Sequence, residues 1–165
     1  CVTRRQRQMC IRDRYSAEEA KVTLVGLPDK PGIAARIFGV LSELNINVDM
    51  IVQSASVNKQ KTDITFSLAR LDLSKAVTNI ANLKDELAFE RLVHDDNIAK
   101  ISVIGTAMRT QPGIAKCMFE VLSEKKINMQ VISTSEIKIS VLIQADYAEL
   151  AVRSLHDAFG LEASD

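Results

Sequence analysis

"LPDKPGIAARIFGVLSELNINVDM", residues 27–50, runs a Pro-Gly turn, an apolar-striped segment and an "INV" run in succession. A variant of it returns at residues 107–130 as "AMRTQPGIAKCMFEVLSEKKINMQ". Residues 31–54 set against 112–135 agree at 13 of 24 positions without a gap, where ordinary composition gives roughly one or two by chance. A repeat separated by 81 positions is too long for a solenoid, so the chain is a small domain present twice.

Each copy reads in the same order. "KVTLVG" (21–26) and "KISVIG" (100–105) are β-branched runs ending in glycine, as strands entering a turn do. A helix follows each. Ile33, Ala34, Ile37, Phe38, Leu41 and Leu44 recur at three- and four-residue steps in the first copy; Ile114, Cys117, Met118, Val121 and Leu122 do so in the second. "INVDMIVQS" and "INMQVISTS" return to strand composition, and "DITFSLA" alternates, with Ile64, Phe66 and Leu68 expected inward and Asp63, Thr65 and Ser67 on a polar face. "IKISVLI" places Ile137, Ile139, Val141 and Ile143 inward on the same rule. Second helices are expected over 72–86 and 147–159, and "FERLVHD" (89–95) as a closing strand of the first copy. The fold class is α+β: two ferredoxin-like βαββαβ units in tandem, antiparallel sheets with helices on one face. After Phe159 only "GLEASD" remains, too short and polar to close the second sheet, which either lacks that edge or borrows a strand from before Ser16. The expected boundaries are a tail over 1–15, a first domain over 16–96 and a second over 97–165.

The balance of 21 basic and 21 acidic residues hides an asymmetry, because Arg4, Arg5, Arg7, Arg12 and Arg14 share the first 14 positions with a single acid, Asp13. The rest carries 16 basic and 20 acidic residues, net −4. Such a body repels phosphate, which argues against nucleic-acid binding. The tail, "CVTRRQRQMCIRDR", matches neither period and reads as an appendage or a disordered arm. Cys1, Cys10 and Cys117 form no C-x-x-C pair and no ligand spacing with His94 or His156, so neither a metal site nor a disulfide framework is expected, and the compartment reads as a reducing cytoplasm. No apolar run approaches the ~20 residues of a membrane helix.

The chemistry lies at the turn. "DKPG" puts Pro31 at or near the first helical position, beside Gly32, and leaves the N–H groups of Ile33 and Ala34 without helical acceptors at the positive end of the helix dipole. Such a corner accepts a carboxylate, and Asp29 beside it suits an ammonium or hydroxyl, so a free amino acid fits better than a nucleotide. Proline and glycine at a helix start are also common punctuation; the corner gains weight because both copies keep it while its neighbours diverge. No phosphate loop of either common kind is present. His94, in "VHDD", has no nucleophile pattern with it, so no catalytic residue is expected. Cys117 lies on an apolar stripe, as a core residue does.

The strings "KVTLVGLPDKPGIAARIF", "NINVDMIVQS", "TDITF", "KISVIGTAMRTQPGIA" and "INMQVISTSEIKISVLI" resemble the tandem ACT domains of aspartokinase, from about Ala20 to Phe159. The resemblance implies an allosteric part without chemistry of its own, either a separate regulatory (β) subunit of an α2β2 enzyme or an excised regulatory domain. No segment here matches the kinase domain, to which ATP and Mg belong, so the chain itself is expected to need no cofactor. It also implies that ACT units of two chains pair side by side and hold threonine, and in many members lysine, at the seam, where they feedback-inhibit aspartate phosphorylation. By motif, one pocket takes Asp29, Lys30, Pro31, Gly32, Ile33 and Ala34, with Gln53 nearby, against Asn128 and Met129 of the partner chain. A second takes Gln111, Pro112, Gly113, Ile114 and Ala115 against Asn47 and Val48, with Ser135 and Glu136 for a lysine ammonium. Thr65 supports the first pocket from behind. The expected partners are the free amino acid, a second copy of the chain and a catalytic aspartokinase subunit or domain, with no nucleic acid and no membrane. The alternatives are an ACT module regulating a different biosynthetic enzyme, a stand-alone enzyme built around His94, and an RNA- or DNA-binding module, which needs exposed aromatics on its sheet.

Overall fold

The computed structural model describes residues 12–55, 60–105 and 113–160. Its elements are β1 (Arg12–Pro28), α1 (Ile33–Glu43), β2 (Val48–Ala55), β3 (Lys61–Ala69), α2 (Leu73–Asn82), the single-turn α3 (Lys84–Leu87), β4 (Arg91–Ile104), α4 (Gly113–Glu124), β5 (Met129–Thr134), β6 (Lys138–Gln144) and α5 (Ala148–Phe159). The chain divides into two compact units. The first runs Glu18–Asp96; the second takes the described residues from Asn97 onward together with β1 up to Ala17.

In the first unit the strands stand in the order β2-β3-β1-β4, with β1 and β2 both antiparallel to β3. Ala20, Val22 and Leu24 of β1 join Ile64, Phe66 and Leu68 of β3 beneath Ile37 and Leu41 of α1 and Ala76 and Ile80 of α2. The phase expected for β3 is therefore correct on its inner face, where Phe66 meets Phe38 edge-on with centroids 5.6 Å apart. Its outer face is less open than the alternation implies. Ser67 is fully buried, and its Oγ accepts the Met50 N–H at 3.1 Å where the pairing of β2 slips between Val48 and Ile51. A buried hydroxyl is tolerated there because the bulge leaves an amide that needs an acceptor.

In the second unit the order is β1-β4-β6-β5. Ile114, Cys117, Met118, Val121 and Leu122 of α4 and Ala148, Ala151, Leu155 and Phe159 of α5 form its core with β4 and β6. Helix periodicity locates these positions because a helix packed on a sheet buries one stripe. Ile137 departs from expectation. It is 57% exposed, because the β5–β6 turn spans it and only its carbonyl is used, accepting the Gly105 N–H at 2.8 Å.

Three expected boundaries change. The strand expected over 21–26 starts at Arg12, so residues 12–15 are strand rather than tail, and β1 stands beside β4 as the edge that the second copy does not supply for itself. The runs expected as two strands, 89–95 and 100–105, form the single β4. "RLVHDDNIAKISVI" holds no Gly or Pro, so nothing turns the chain between them. The helix expected over 72–86 breaks at Leu83 into α2 and α3. No helix among the described residues is long and apolar enough to cross a membrane.

Phe66→Ala should destabilise the first unit by about 3–5 kcal/mol, read as a lowered urea midpoint, whereas Ile51→Ala, at a position 51% exposed, should move it by less than about 0.5 kcal/mol.

Candidate functional site

Helix α1 begins differently from the expected proline start. Its N-cap is Gly32, at φ 93°, and Pro31 stands one position ahead of the cap. A left-handed cap suits glycine, and it leaves the helix with no side-chain cap bond. The first i to i−4 bond runs from the Arg36 N–H to the Gly32 carbonyl at 2.9 Å, and the Ile33 N–H reaches only the Lys30 carbonyl, at 3.5 Å. The amides of Ala34 and Ala35 lie between these and have no carbonyl four residues back inside the helix. Of the two amides expected to be bare, Ala34 stays open, and Ala35 takes the place given to Ile33.

The loop before the cap is held from both sides. Asp29 N–H donates to the Gln60 carbonyl at 3.0 Å, and Lys30 N–H folds back to the Pro28 carbonyl at 2.9 Å. Around it lies a cavity of about 360 Å³ lined by Pro28, Asp29, Lys30, Pro31, Gly32, Ile33, Ala34, Gln53, Thr62 and Ile64. The seven residues read from the sequence for the corner are thus together at one hollow: a carboxylate, an amide side chain, the helix start up to Ala34 and an apolar wall. Pro28, Thr62 and Ile64 complete it and were not foreseen. Thr62 is buried and donates its hydroxyl to the Ser54 carbonyl at 3.1 Å, which leaves its oxygen lone pairs as acceptors. The signal for it was register: Thr62 pairs with Leu27 and shares the phase of Ile64. Thr65 lies one strand position beyond the lining residue Ile64, bonded through its hydroxyl to that of Thr23 at 2.9 Å, and does not line the cavity.

The other predicted residues are placed as follows. Asn128 and Met129 belong to the second unit, at the start of β5, where they line a hollow of about 370 Å³ with Ser123, Lys126, Ile127 and Ile132. Asn47 and Val48 hold the same position at the start of β2 in the first unit, Asn47 just ahead of the strand and Val48 its first residue. Gln111 and Pro112 lie outside the described residues. Gly113 opens α4, Ile114 is buried in the core and Ala115 packs partly against it, so Ile114 has only its backbone to offer a ligand. Ser135 closes the β5–β6 turn through its N–H and hydroxyl to the Lys138 carbonyl, at 2.7 and 3.3 Å, while Glu136 is exposed on that turn.

Ionic contacts flank the corner. Arg36 in the first turns of α1 forms a forked pair with Glu86 of α3, at 2.5 and 3.2 Å, which raises the guanidinium and lowers the carboxyl from their ordinary values. Lys61 at the head of β3 is paired with Glu90. That hydrogen bond, then the Lys61 charge, holds the Glu90 carboxyl below the ordinary range. Burial raises the Cys117 thiol, as suits a core residue. His94 is exposed on β4, and no group of three or more His, Cys, Asp or Glu side chains among the described residues is arranged to hold a metal. Phe66 is buried, and Tyr15 is the exposed strand aromatic among the described residues, which falls short of a base-stacking platform.

The profile of one protein family, described as ACT domain, matches residues 22–82 and 101–159. This chain belongs to the ACT-domain family. Within it, the aspartokinase of Mycolicibacterium smegmatis is 47% identical over 152 residues, covering 92% of this chain and 36% of that relative. The aspartate kinase of Pseudomonas putida is 46% identical over 149 residues, covering 90% and 36%. The chain thus spans little more than a third of the length of these curated relatives. Among solved structures, aspartokinase alpha and beta subunits match at 40% identity and TM-score 0.83 over 90% of this chain and 97% of that one. The ligand-free regulatory subunit of aspartate kinase from Thermus thermophilus matches at 33% identity and TM-score 0.82, over 89% and 96%. The ACT chain is therefore similar to the regulatory portion of aspartokinase over nearly its whole length.

In a carbon-detected NMR titration the Glu90 carboxyl should titrate below a free glutamate, and in Lys61→Met it should return to the ordinary range. Because the folded value lies below the unfolded one, the stabilisation from this pair is present above the ordinary carboxylate range and is lost as the pH falls through the lowered value.

Proposed function

We propose that the chain is the allosteric regulatory part of an aspartokinase, and that the corner at the start of α1 binds a free amino acid, threonine or lysine. The observation that carries this reading is the cavity that gathers Asp29, the start of α1 up to Ala34 and Gln53 at one point. A zwitterion presents a carboxylate and an ammonium a few ångströms apart. The helix start supplies donors and a favourable dipole for the first, and Asp29 and Thr62 supply acceptors for the second.

In this reading Asn128 and Met129 of a second copy of the chain close the corner, and the pseudo-equivalent corner at Gly113 is closed by Asn47 and Val48. The second corner differs: the stretch "MRTQPG" carries no aspartate in the place of Asp29. The two corners accordingly differ in ligand or in affinity. Support for the regulatory role comes from the likeness to regulatory subunits over nearly the whole chain.

Regulation follows from where the ligand sits. An effector shared by two chains stabilises the arrangement that completes its pocket, and a preference of about 1–3 kcal/mol shifts an attached catalytic part several-fold to a hundredfold. The chemistry of phosphoryl transfer, with its ATP and Mg, belongs in this reading to the catalytic part.

Calorimetry should give a saturable isotherm with threonine or lysine and none with a nucleotide. Asp29→Ala should weaken it about tenfold, the cost of one charge-assisted hydrogen bond, with the melting temperature unchanged. Flat titrations with both amino acids defeat the proposal.

A further inference from the structure

The cavity depends on a strand that is out of register just before it. β1 pairs regularly with β3 up to Leu24↔Ile64, slips, and resumes at Leu27↔Thr62 and Pro28↔Lys61. Val25 and Gly26 together stand opposite the single Asp63, a bulge of one extra residue in which Gly26 takes φ 72°. A bulge re-aims the chain beyond it, and the chain beyond this one is the corner itself.

The bulge is held by side chains as well as by backbone. Gly26 N–H donates to Asp63 Oδ1 at 2.8 Å, and the Val25 carbonyl accepts the Glu90 N–H at 2.9 Å. Glu90 lies so close that a Cβ on Gly26 would stand 2.6 Å from its side chain. Asp63 is half-buried on β3, between Thr62 and Ile64 of the cavity wall but in the opposite phase, so its carboxylate stays out of the hollow and fixes the strand that carries Pro28 to Gly32.

The second unit reaches the same point by other means. Leu24↔Ile64 in the first unit corresponds to Val103↔Ile139 in the second, so the register position of Asp63 is taken there by Lys138, which has no acceptor. The equivalent glycine, Gly105, gives its N–H to the backbone carbonyl of Ile137 instead. Carboxylate pinning is therefore particular to the first unit, the one whose corner carries Asp29.

We propose that Asp63 is a positioning residue for the first corner: by accepting the Gly26 amide it fixes the bulge, and through it the direction of Pro28 to Gly32 and the affinity of the pocket they form. The effect on affinity rests on the amino-acid-binding reading; the hold on the bulge does not. An acceptor is what the role requires, so asparagine should serve where alanine fails.

The test uses the full chain and two readouts. In hydrogen exchange the Gly26 amide should be protected in the wild type and in Asp63→Asn, and should exchange at least about tenfold faster in Asp63→Ala, with resonances of residues 29–34 displaced in the alanine variant alone. In calorimetry with threonine and lysine, whichever binds the wild type should bind Asp63→Ala about tenfold more weakly and Asp63→Asn within about twofold. Unchanged Gly26 exchange in Asp63→Ala, or equal losses in both variants, overturns the assignment. A wild type that binds neither amino acid removes the functional reading, while the exchange and resonance arms still decide whether Asp63 sets the corner.

Discussion

A helix that begins at glycine has no side chain with which to cover its first amides. Most of the first unit's distinctive features stem from that constraint at Gly32. The left-handed cap lets the chain turn from β1 into α1 within a few residues, so the start of the helix, through Ala34, lines a hollow at the end of the sheet. Thr62 and Ile64 of β3 and Gln53 of β2 then become walls of the same hollow, because antiparallel pairing brings those strand ends to the turn. An anion-receptive helix start is common; one placed against an acceptor-bearing strand pair is the arrangement that a zwitterion needs.

Duplication makes the local differences informative. Both units bury the same helical stripe on the same kind of sheet, and both place a hydroxyl pair across their central strands, Thr23 with Thr65 in one and Ser102 with Ser140 in the other. Packing is therefore shared. The divergence lies at the strand end nearest the corner, where one unit has Asp29 and a carboxylate-pinned bulge and the other has Lys138 and a backbone bond. Divergence at that end, on cores packed in the same way, is what two pockets of unequal character would require.

Much of this was legible in the sequence, and the features that were missed have a common cause. Helix stripes such as Ile114, Cys117, Met118, Val121 and Leu122 were readable because burial on one face imposes a period. The corner residues and Gln53 were readable because the repeat and the family resemblance singled out their motifs. The extent of β1 and β4 was hidden: Arg12 to Tyr15 and the "HDDN" of β4 are held by backbone pairing that leaves no apolar pattern. Bulges were hidden for the same reason, since a register slip depends on two strands at once. Thr62, Asp63 and Ser67 could not be ranked within "KTDITFS" until the partners Leu27, Gly26 and Met50 were known.

The central claim is that open amides in the first turn of α1 receive the carboxylate of a free amino acid. The most direct measurement is the backbone amide spectrum of Ala34 and Ala35 titrated with threonine and, separately, with threoninol, which keeps the ammonium and hydroxyl but lacks the carboxylate. The account predicts saturable downfield shifts at both amides with threonine and none with threoninol. Equal responses to the two compounds, or responses to threonine that leave Ala34 and Ala35 unmoved, would contradict it.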